Sequence, residues 1–269
     1  MKIGLIGTTY KVTTLVELEQ IYVNKDTIPE FLKSFPSHSP IKALVILSTC
    51  NRMEYYFTVK DSQDLDKSAQ WLFEHIASFK KQPIEKVKSI LRYVSNGSVI
   101  QHLFEVASGV DSMVFGENEI LTQVKDAHEH CSTHHETGPI LNKVFLSAIS
   151  TGKRVRSETA VSRGAYSVSS IAVEAIRETY LDYFGRKILI VGTGTMGSRV
   201  AKKLSALGHP DTYITNRTQE KADALAKELD IHSLNYDEMF EKAQDFDIMV
   251  CATSSKQYLF YTSHFDNLK

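Results

Sequence analysis

A cysteine and an arginine lie close together in Ser48-Thr49-Cys50-Asn51-Arg52, which directly follows the apolar residues 43–47. Those apolar residues predict a strand, and reactive groups are common where a strand meets a loop. Cys50 is therefore a candidate nucleophile, and Arg52 is a candidate to hold an anionic substrate or to lower the pKa of the thiol. Taken alone, these residues fit an inert, partly buried cysteine at least as well.

His102 lies beside the apolar stripe of the predicted helix 98–109, in which Val99, Leu103, Val106 and Val110 share one side. It is a candidate acid or base, and a histidine at the edge of the core is the alternative. Polar side chains follow around a glycine turn, and they could line a polar pocket or cap the next helix. These polar candidates are Ser112, Glu117, Glu119 and Gln123.

Two further clusters of side chains have less specific patterns. A basic cluster could contact phosphates or form a solvated helix end, and it comprises Lys143, Lys153, Arg154, Arg156 and Arg163. Spacings of three and four residues, which suit metal ligands, occur among His128, His130, Cys131, His134 and His135. This second cluster is typical of a polar helix end without partner ligands elsewhere, so we predict no metal site.

The segment Gly192-Thr193-Gly194-Thr195-Met196-Gly197 follows the predicted strand 187–191 and opens the predicted helix 195–207. A dinucleotide-binding fingerprint has this context, because its glycines allow a tight turn and bring a pyrophosphate to the helix N-terminus. The alternative is a glycine-rich connector in an ordinary αβ unit.

The choice between nicotinamide cofactors depends on the residues after the next predicted strand, 212–215. The chain continues Asn216-Arg217-Thr218, without the acidic residue that usually binds a ribose 2′-hydroxyl. A guanidinium pairs well with a 2′-phosphate, so we predict NADPH as the cofactor. The alternative is a solvated arginine that caps a helix start.

Two different patterns of elements position these candidates. Residues 1–160 combine predicted strands at 2–7, 43–47 and 54–59 with helices at 28–35, 68–79, from Pro83, 98–109, 120–131 and 140–156. Residues 161–269 alternate strands (187–191, 212–215, 248–252) with helices (168–183, 195–207, 219–229 and a further short one). The predicted fold class is α/β, with an N-terminal α+β catalytic domain, 1–160, followed by a Rossmann-like parallel-sheet NADP-binding domain, 161–269.

Composition excludes several classes of protein. The 269 residues are 42% hydrophobic and 23% charged, which is enough apolar material for a core, and the net charge of −1 argues against a globally basic nucleic-acid coat. No apolar run approaches the roughly 18 residues of a membrane span, and the N-terminus is typical of a strand and not of a signal peptide. The odd number of distant cysteines suits a reducing cytosol, so we predict a cytoplasmic location.

Together these motifs resemble glutamyl-tRNA reductase, the first dedicated enzyme of the five-carbon route to tetrapyrroles, which include the porphyrins. The resemblance extends from residue 1 to about residue 255. Collinear matches carry it, and they are the segments 48–52, 102–117, 152–156, 167–170 and the turn at Gly192.

The resemblance implies a mechanism and its residues. Cys50 would attack the ester between glutamate and tRNA to form a thioester, NADPH would reduce it to glutamate-1-semialdehyde, and His102 would be important for activity. The nicotinamide would have to reach Cys50 across the two domains, so hinge motion is expected. The positions implied to hold the glutamyl group are Thr49, Asn51, Arg52, Ser112, Glu117, Asn118, Glu119 and Gln123. The implied partners are glutamyl-tRNA(Glu) as substrate and the downstream glutamate-1-semialdehyde aminomutase.

The sequence departs from the family pattern in two places. Glu119 stands where the family usually has glutamine, and its negative charge is expected to weaken binding of an anionic substrate. Family members continue through a spine helix into a helical dimerisation domain, whereas this sequence ends at Lys269. We therefore expect an incomplete nucleotide domain, and the family's homodimer stays an open alternative for this chain.

Two other functions are compatible with the motifs. One is a thiol esterase that hydrolyses the thioester, and the other is a non-catalytic regulator that binds NADPH or tRNA. The presence of Cys50, Arg52 and His102 counts against the regulator.

Overall fold

The computed structural model describes residues 2–60, 62–134, 137–162, 167–255 and 257–262. The chain divides into two compact units, Met1–Ala165 and Tyr166–Lys269. Buried apolar clusters lie within each unit, so each has a core of its own. Among the described residues, every helix is too short or too polar to cross a membrane.

The first unit is built on an antiparallel sheet. Its described strands are β1 (Ile3–Thr9), β2 (Ile41–Thr49), β3 (Arg52–Val59) and β4 (Arg92–Ser95). They lie in the order β2-β3-β1-β4, and every neighbouring pair is antiparallel. β2 and β3 form a hairpin in which Thr49 pairs with Arg52, so Cys50 and Asn51 make up the whole turn.

Helices cover this sheet. The described helices of the first unit are α1 (Leu15–Ile21), α2 (Ile28–Lys33), α3 (Leu65–Lys80), α4 (Ile84–Ile90), α5 (Gly97–Ser108), α6 (Glu119–His134) and α7 (Gly138–Glu158). Every residue of β3 is buried, as expected for a strand covered on both faces. The ring of Tyr55 contacts α2, and the ring of Tyr56 contacts Phe145 of α7. Because alternate residues of a strand share a face, Arg52 and Glu54 lie on the same side of β3 as Tyr56, toward α7.

The second unit is a parallel sheet with crossover helices. Its described elements are α8 (Val168–Thr179), β5 (Ile188–Val191), α9 (Thr195–Ala206), β6 (Thr212–Thr215), α10 (Gln219–Leu229), β7 (His232–Ser233), α11 (Glu238–Glu241) and β8 (Ile248–Cys251), with 3₁₀ turns at Tyr183–Gly185 and Ala243–Asp245. The strand order is β7-β6-β5-β8. The chain moves from β5 to one side and returns to the other side at β8. A crevice is expected where the order reverses, at the carboxyl end of β5.

Most predicted elements are confirmed, including the strand 212–215 and the helix 219–229 with their bounds. The prediction that Val110 continues the apolar stripe is wrong, because Gly109 takes the left-handed conformation that ends α5 and leaves Val110 45% exposed. The helix predicted to reach residue 183 ends at Thr179. The short elements α1, β4 and β7 were not predicted from the sequence.

Candidate active site

Cys50 lies at the tip of the β2–β3 hairpin, and its side chain is exposed. The backbone N–H of Asn51 donates to Thr49 Oγ1 at 3.2 Å, and that of Tyr10 donates to the carbonyl oxygen of Asn51 at 2.9 Å. Thr49 itself is buried. These contacts fix the turn to its own strand and to the segment after β1. The backbone that carries the exposed thiol is therefore restrained by hydrogen bonds.

The surroundings of Cys50 favour the neutral thiol. Burial raises the pKa of the thiol although the side chain reaches solvent, and the carboxylates of Glu117 and Glu119 raise it further. A backbone hydrogen bond lowers the pKa, but this effect offsets only part of the increase. The expectation that Arg52 lowers the pKa of this thiol is therefore wrong, because the net shift is upward and the guanidinium is held elsewhere.

A buried carboxylate organises the side chains below the turn. Glu54 is 1% exposed and accepts hydrogen bonds from Arg52 Nη1 at 2.8 Å, from His102 Nε2 at 2.8 Å and from Tyr56 Oη at 2.6 Å. Burial alone would raise the pKa of Glu54. Arg52, His102 and Tyr56 outweigh burial and lower the pKa to about 2, so the carboxylate is ionised at any ordinary pH.

His102 extends from α5 toward this carboxylate, and its side chain is 24% exposed. Its Nδ1 lies 3.7 Å from Asp111 Oδ2, so acidic groups lie on both sides of the ring. Burial lowers the pKa of His102, but the hydrogen bond and charge of Glu54, helped by Asp111, raise it above the ordinary value. The arrangement therefore favours the protonated imidazolium, a proton donor.

Arg52 is 2% exposed, and carboxylates surround its guanidinium. Besides Glu54, it contacts the carbonyl oxygen of Asp111 through Nη2, and its Nη1 lies 3.6 Å from Asp111 Oδ2. Asp111 also contacts the ammonium group of Lys11. In this arrangement Arg52 holds the network together, and its contact with a substrate carboxylate stays a prediction.

Residues 109–118 connect α5 to α6 and are called the 109–118 loop below. Ser112 is buried and its hydroxyl donates to the carboxylate of Glu117 within the loop. Asn118 is exposed, and Glu119 begins α6. Tyr10 joins the loop to the Cys50 turn, because its hydroxyl donates to the carbonyl oxygen of Ser112 at 3.4 Å and its N–H donates to that of Asn51.

Gln123 lies on α6, one turn after Glu119. It lines a cavity of about 170 Å³ together with Ser48 and His130, and Cys50 is not part of that lining.

The histidines and the cysteine of α6 have ordinary contacts where they are described. His128 Nε2 lies 2.8 Å from Asn142 Oδ1 and the ring stacks on Phe145, while Cys131 is buried. His135 and the side chain of His134 lie outside the described residues. Within the described residues no three histidine, cysteine or acidic side chains are arranged to hold a metal ion.

The basic cluster does not form one solvated surface. Arg154 pairs with Glu158 on the exposed side of α7, whereas Arg156 donates hydrogen bonds to backbone carbonyls inside the unit. Lys143 and Lys153 are exposed, and Arg163 lies outside the described residues.

The second unit contains a cleft of about 260 Å³ at the carboxyl end of β5. Gly192 has a φ of 110°, and a Cβ on Gly197 would stand 1.9 Å from the carbonyl oxygen of Gly192, so both positions require glycine. A Cβ on Gly194 would meet no atom within 4 Å, which leaves open space at the N-terminus of α9. This geometry fits a pyrophosphate against the first turn of that helix.

Cations line the far side of this cleft. Arg217 belongs to the lining with Asn216, and Lys221 of α10 adds a second positive charge that the sequence analysis missed. The N–H of Thr193 donates to Asn216 Oδ1 at 3.4 Å, and Asn216 Nδ2 donates to the carbonyl oxygen of Thr218 at 3.2 Å. The glycine turn and the residues after β6 are therefore joined into one surface.

Thr195 and Met196 line a second, more apolar cavity of about 560 Å³. Val168 of α8 and Cys251 at the end of β8 also line it, and Gly194 borders both cavities. An elongated ligand could therefore extend from the cationic cleft past the glycine turn into an apolar space.

Three residues that the sequence patterns did not predict complete the network around His102, and they are Glu54, Tyr56 and Asp111. A signal for two of them was present, since arginine, glutamate and tyrosine alternate at positions 52, 54 and 56 in a strand that begins beside Cys50. Asp111 had no such signal because its contacts join distant parts of the chain.

Comparison with known protein families shows to which family this chain belongs. The family model described as "Glutamyl-tRNAGlu reductase, N-terminal domain" matches residues 6–159, more than half of the chain. The chain belongs to the glutamyl-tRNA reductase family. A second family model, "Shikimate / quinate 5-dehydrogenase", matches residues 174–269 and implies a nicotinamide cofactor for that unit.

Individual glutamyl-tRNA reductases agree with this assignment. The protein of Alkaliphilus metalliredigens is 34% identical over 100% of this chain and 63% of its own length, and that of Aquifex aeolicus is 34% identical over 98% and 64%. The solved structure of the Methanopyrus kandleri reductase has a TM-score of 0.57 and 31% identity, covering 94% of this chain and 59% of that one. The chain thus spans about 60% of the length of the relatives it matches, and the shared fold is the α/β arrangement described above.

Proposed function

We propose that this chain carries out the NADPH-dependent reduction of glutamyl-tRNA(Glu) to glutamate-1-semialdehyde, through a thioester on Cys50. The observation that carries the proposal is the exposed Cys50 thiol on a turn that backbone hydrogen bonds hold, in the same unit as His102, whose pKa the buried Glu54 carboxylate raises. A nucleotide cleft with two cations in the second unit supports the reductive half of the reaction. In this division, residues 1–160 are the catalytic domain and residues 161–269 bind the cofactor.

The acyl transfer uses groups of the first unit. The Cys50 thiol first loses its proton to solvent, the thiolate attacks the ester carbonyl carbon, an S–C bond forms, and the ester C–O bond breaks. His102 donates a proton to the leaving tRNA hydroxyl, since Glu54 and Asp111 favour its charged form. Residues of the turn and the 109–118 loop, with Arg52 and Gln123, are the proposed contacts of the glutamyl group.

The second unit holds the cofactor. We assign the pyrophosphate to the open space at Gly194 and the 2′-phosphate to Arg217 and Lys221, because two cations line that end of the cleft. When bound, NADPH would supply the hydride that reduces the thioester carbon, and the C–S bond to Cys50 would break as the aldehyde is released. Asn216 and Thr218 shape the same surface through their mutual hydrogen bond.

The partners follow from this chemistry. Glutamyl-tRNA(Glu) is the proposed substrate, and the aldehyde product is proposed to pass to glutamate-1-semialdehyde aminomutase. The proposed location is the cytoplasm.

A single-turnover assay with glutamyl-tRNA and NADPH tests the proposal. The unchanged chain should form semialdehyde and consume one NADPH per product, and Cys50→Ser should form none. Cys131→Ala is the matched control, because that thiol is buried in the core of the same unit and should leave the chemistry intact. Semialdehyde from Cys50→Ser at the normal rate would refute the covalent route, and free glutamate without NADPH consumption would identify an esterase.

A further inference from the structure

Arg156 lies in the last turn of α7, and the structure directs its guanidinium inward. Nη1 donates to the carbonyl oxygens of Ala107 at 2.7 Å and Gly152 at 2.9 Å, and Nη2 donates to that of Glu117 at 2.8 Å. Nε lies 3.2 Å from Asn118 Oδ1 and donates to it. One side chain therefore joins α5, α7 and the end of the 109–118 loop.

The close packing of α5 on α7 brings these groups within reach. A Cβ at Gly152 would stand 2.4 Å from the carbonyl oxygen of Ala107, so the two helices meet at this position. The carbonyl of Ala107 is among the last of α5, which have no partner within their own helix. Arg156 supplies a donor to it and, with the same planar fork, to the loop.

The 109–118 loop is closed on itself and reaches the candidate active site twice. The N–H of Gly116 donates to the carbonyl oxygen of Gly109 at 2.8 Å. Near its start, Asp111 contacts Arg52 and lies 3.7 Å from the His102 ring. Near its end, the Glu117 carboxylate accepts from Ser112, whose carbonyl oxygen accepts from the Tyr10 hydroxyl beside the Cys50 turn. The carbonyl oxygen of Glu117 accepts from Arg156.

We propose that Arg156 is a positioning residue, which holds the 109–118 loop so that Glu117 and Asp111 stay beside the Cys50 turn and His102. The inference rests on the proposed role of Cys50 as nucleophile, and it adds a residue that touches neither substrate nor cofactor. Lysine at this position keeps the charge but cannot form the four-contact fork.

The test is the rate of Cys50 alkylation by iodoacetamide as a function of pH, in Arg156→Lys. Peptide mass spectrometry separates Cys50 from the other exposed thiol, Cys251. At neutral pH we expect alkylation of Cys50 to be about two- to fourfold faster, because the charge of Glu117 recedes and thiolate forms more readily. Arg154→Lys is the matched control on the same helix, since Arg154 pairs with Glu158 on the exposed side of α7, and it should not change the rate.

Two further variants keep the test decisive. Glu117→Gln should accelerate alkylation by itself, and Arg156→Lys should add nothing in that background. Asn118→Ala removes only the contact of Arg156 Nε and should give a smaller acceleration of alkylation. This variant still tests the inference if Arg156→Lys does not fold. Unchanged rates in both Arg156→Lys and Asn118→Ala, or equal acceleration in Arg154→Lys, would overturn the inference. Alkylation needs neither tRNA nor NADPH, so failure of the proposed reduction would be seen separately.

Discussion

Glu54 is the side chain on which the candidate site depends most. Its carboxylate accepts from Arg52, His102 and Tyr56, and it is 1% exposed. A buried charge is tolerated only when it is paired and fully hydrogen-bonded, so removing one partner leaves the others with uncompensated charge. The same contacts explain why Glu54 stays ionised and why His102 gains a proton.

Replacing Glu54 by glutamine should lower the free energy of unfolding by about 3 kcal/mol at neutral pH. The depressed pKa of about 2, against an ordinary 4.5, means that the stabilisation is present above pH 4.5 and is lost as the pH falls toward 2. Urea denaturation from pH 7 to pH 2 should therefore show a shallower decline for Glu54→Gln. Glu158→Gln, which changes an exposed ion pair, should leave the free energy of unfolding nearly unchanged.

The imidazole of His102 should titrate above its ordinary pKa of 6.5, and Glu54→Gln should lower that value. The sign follows from the pairing, since an anionic neighbour favours the charged ring and a neutral amide does not. NMR titration of the histidine ring resonances measures both values. An unchanged His102 titration in Glu54→Gln would contradict the pairing.

Arg217→Ala should weaken NADPH binding by about tenfold or more and leave NADH binding nearly unchanged, because a charge-assisted contact to a 2′-phosphate is lost. Lys221→Ala should act in the same direction. Fluorescence titration with both nucleotides measures the effect. Equal losses for the two cofactors would argue against the 2′-phosphate assignment.

Among the elements, the turn between β5 and α9 decides whether the second unit binds a dinucleotide. Gly192 and Gly197 are required for the backbone itself, whereas the open space at Gly194 has no role in packing. Gly192 and Gly197 are therefore needed for folding, whereas Gly194 is needed only for the proposed binding.

Gly194→Ala should reduce NADPH affinity by about tenfold or more, since a methyl group enters the space assigned to the pyrophosphate. The melting temperature without cofactor should stay unchanged, because the backbone φ of −69° suits alanine. Gly185→Ala is the control, as its Cβ also meets no atom within 4 Å but lies outside the cleft. Full NADPH affinity in Gly194→Ala would rule out this pyrophosphate position.

Sequence patterns predicted these elements well where the signal is local. The glycine turn, β6 and α10 follow from residues next to one another, and so does the position of Cys50 after an apolar strand. The network around Glu54 was not predictable in the same way, because His102 is 48 positions away and Asp111 is 59 positions from Arg52. The inward turn of Arg156 likewise depends on how α5 and α7 pack, which a run of basic residues does not specify.

For the chain as a whole, the two units have separate cores, and the proposed acyl chemistry and cofactor binding lie in different units. The chain spans about 60% of the length of the reductases it matches, with 63% for the Alkaliphilus relative. Binding of a cofactor to one unit stabilises that unit by mass action.

NADPH should accordingly protect backbone amides of β5, β6 and the turn at Gly192 from hydrogen exchange. At a cofactor concentration about one hundred times Kd, the stabilisation is about 2.7 kcal/mol. Exchange measured by mass spectrometry with and without NADPH locates the protection. Protection confined to β1–β3 would place the cofactor in the first unit and contradict the assignment.

The most direct test of the account is to trap the acyl group on the protein. Glutamyl-tRNA is mixed with the chain without NADPH, and the reaction is quenched in acid. The protein is then digested, and the mass of the peptide containing Cys50 is measured by mass spectrometry. We predict a glutamyl adduct on that peptide that disappears when NADPH is added, with semialdehyde formed in equal amount. Semialdehyde formation without any adduct on Cys50, or an adduct on another residue, would contradict the thioester mechanism.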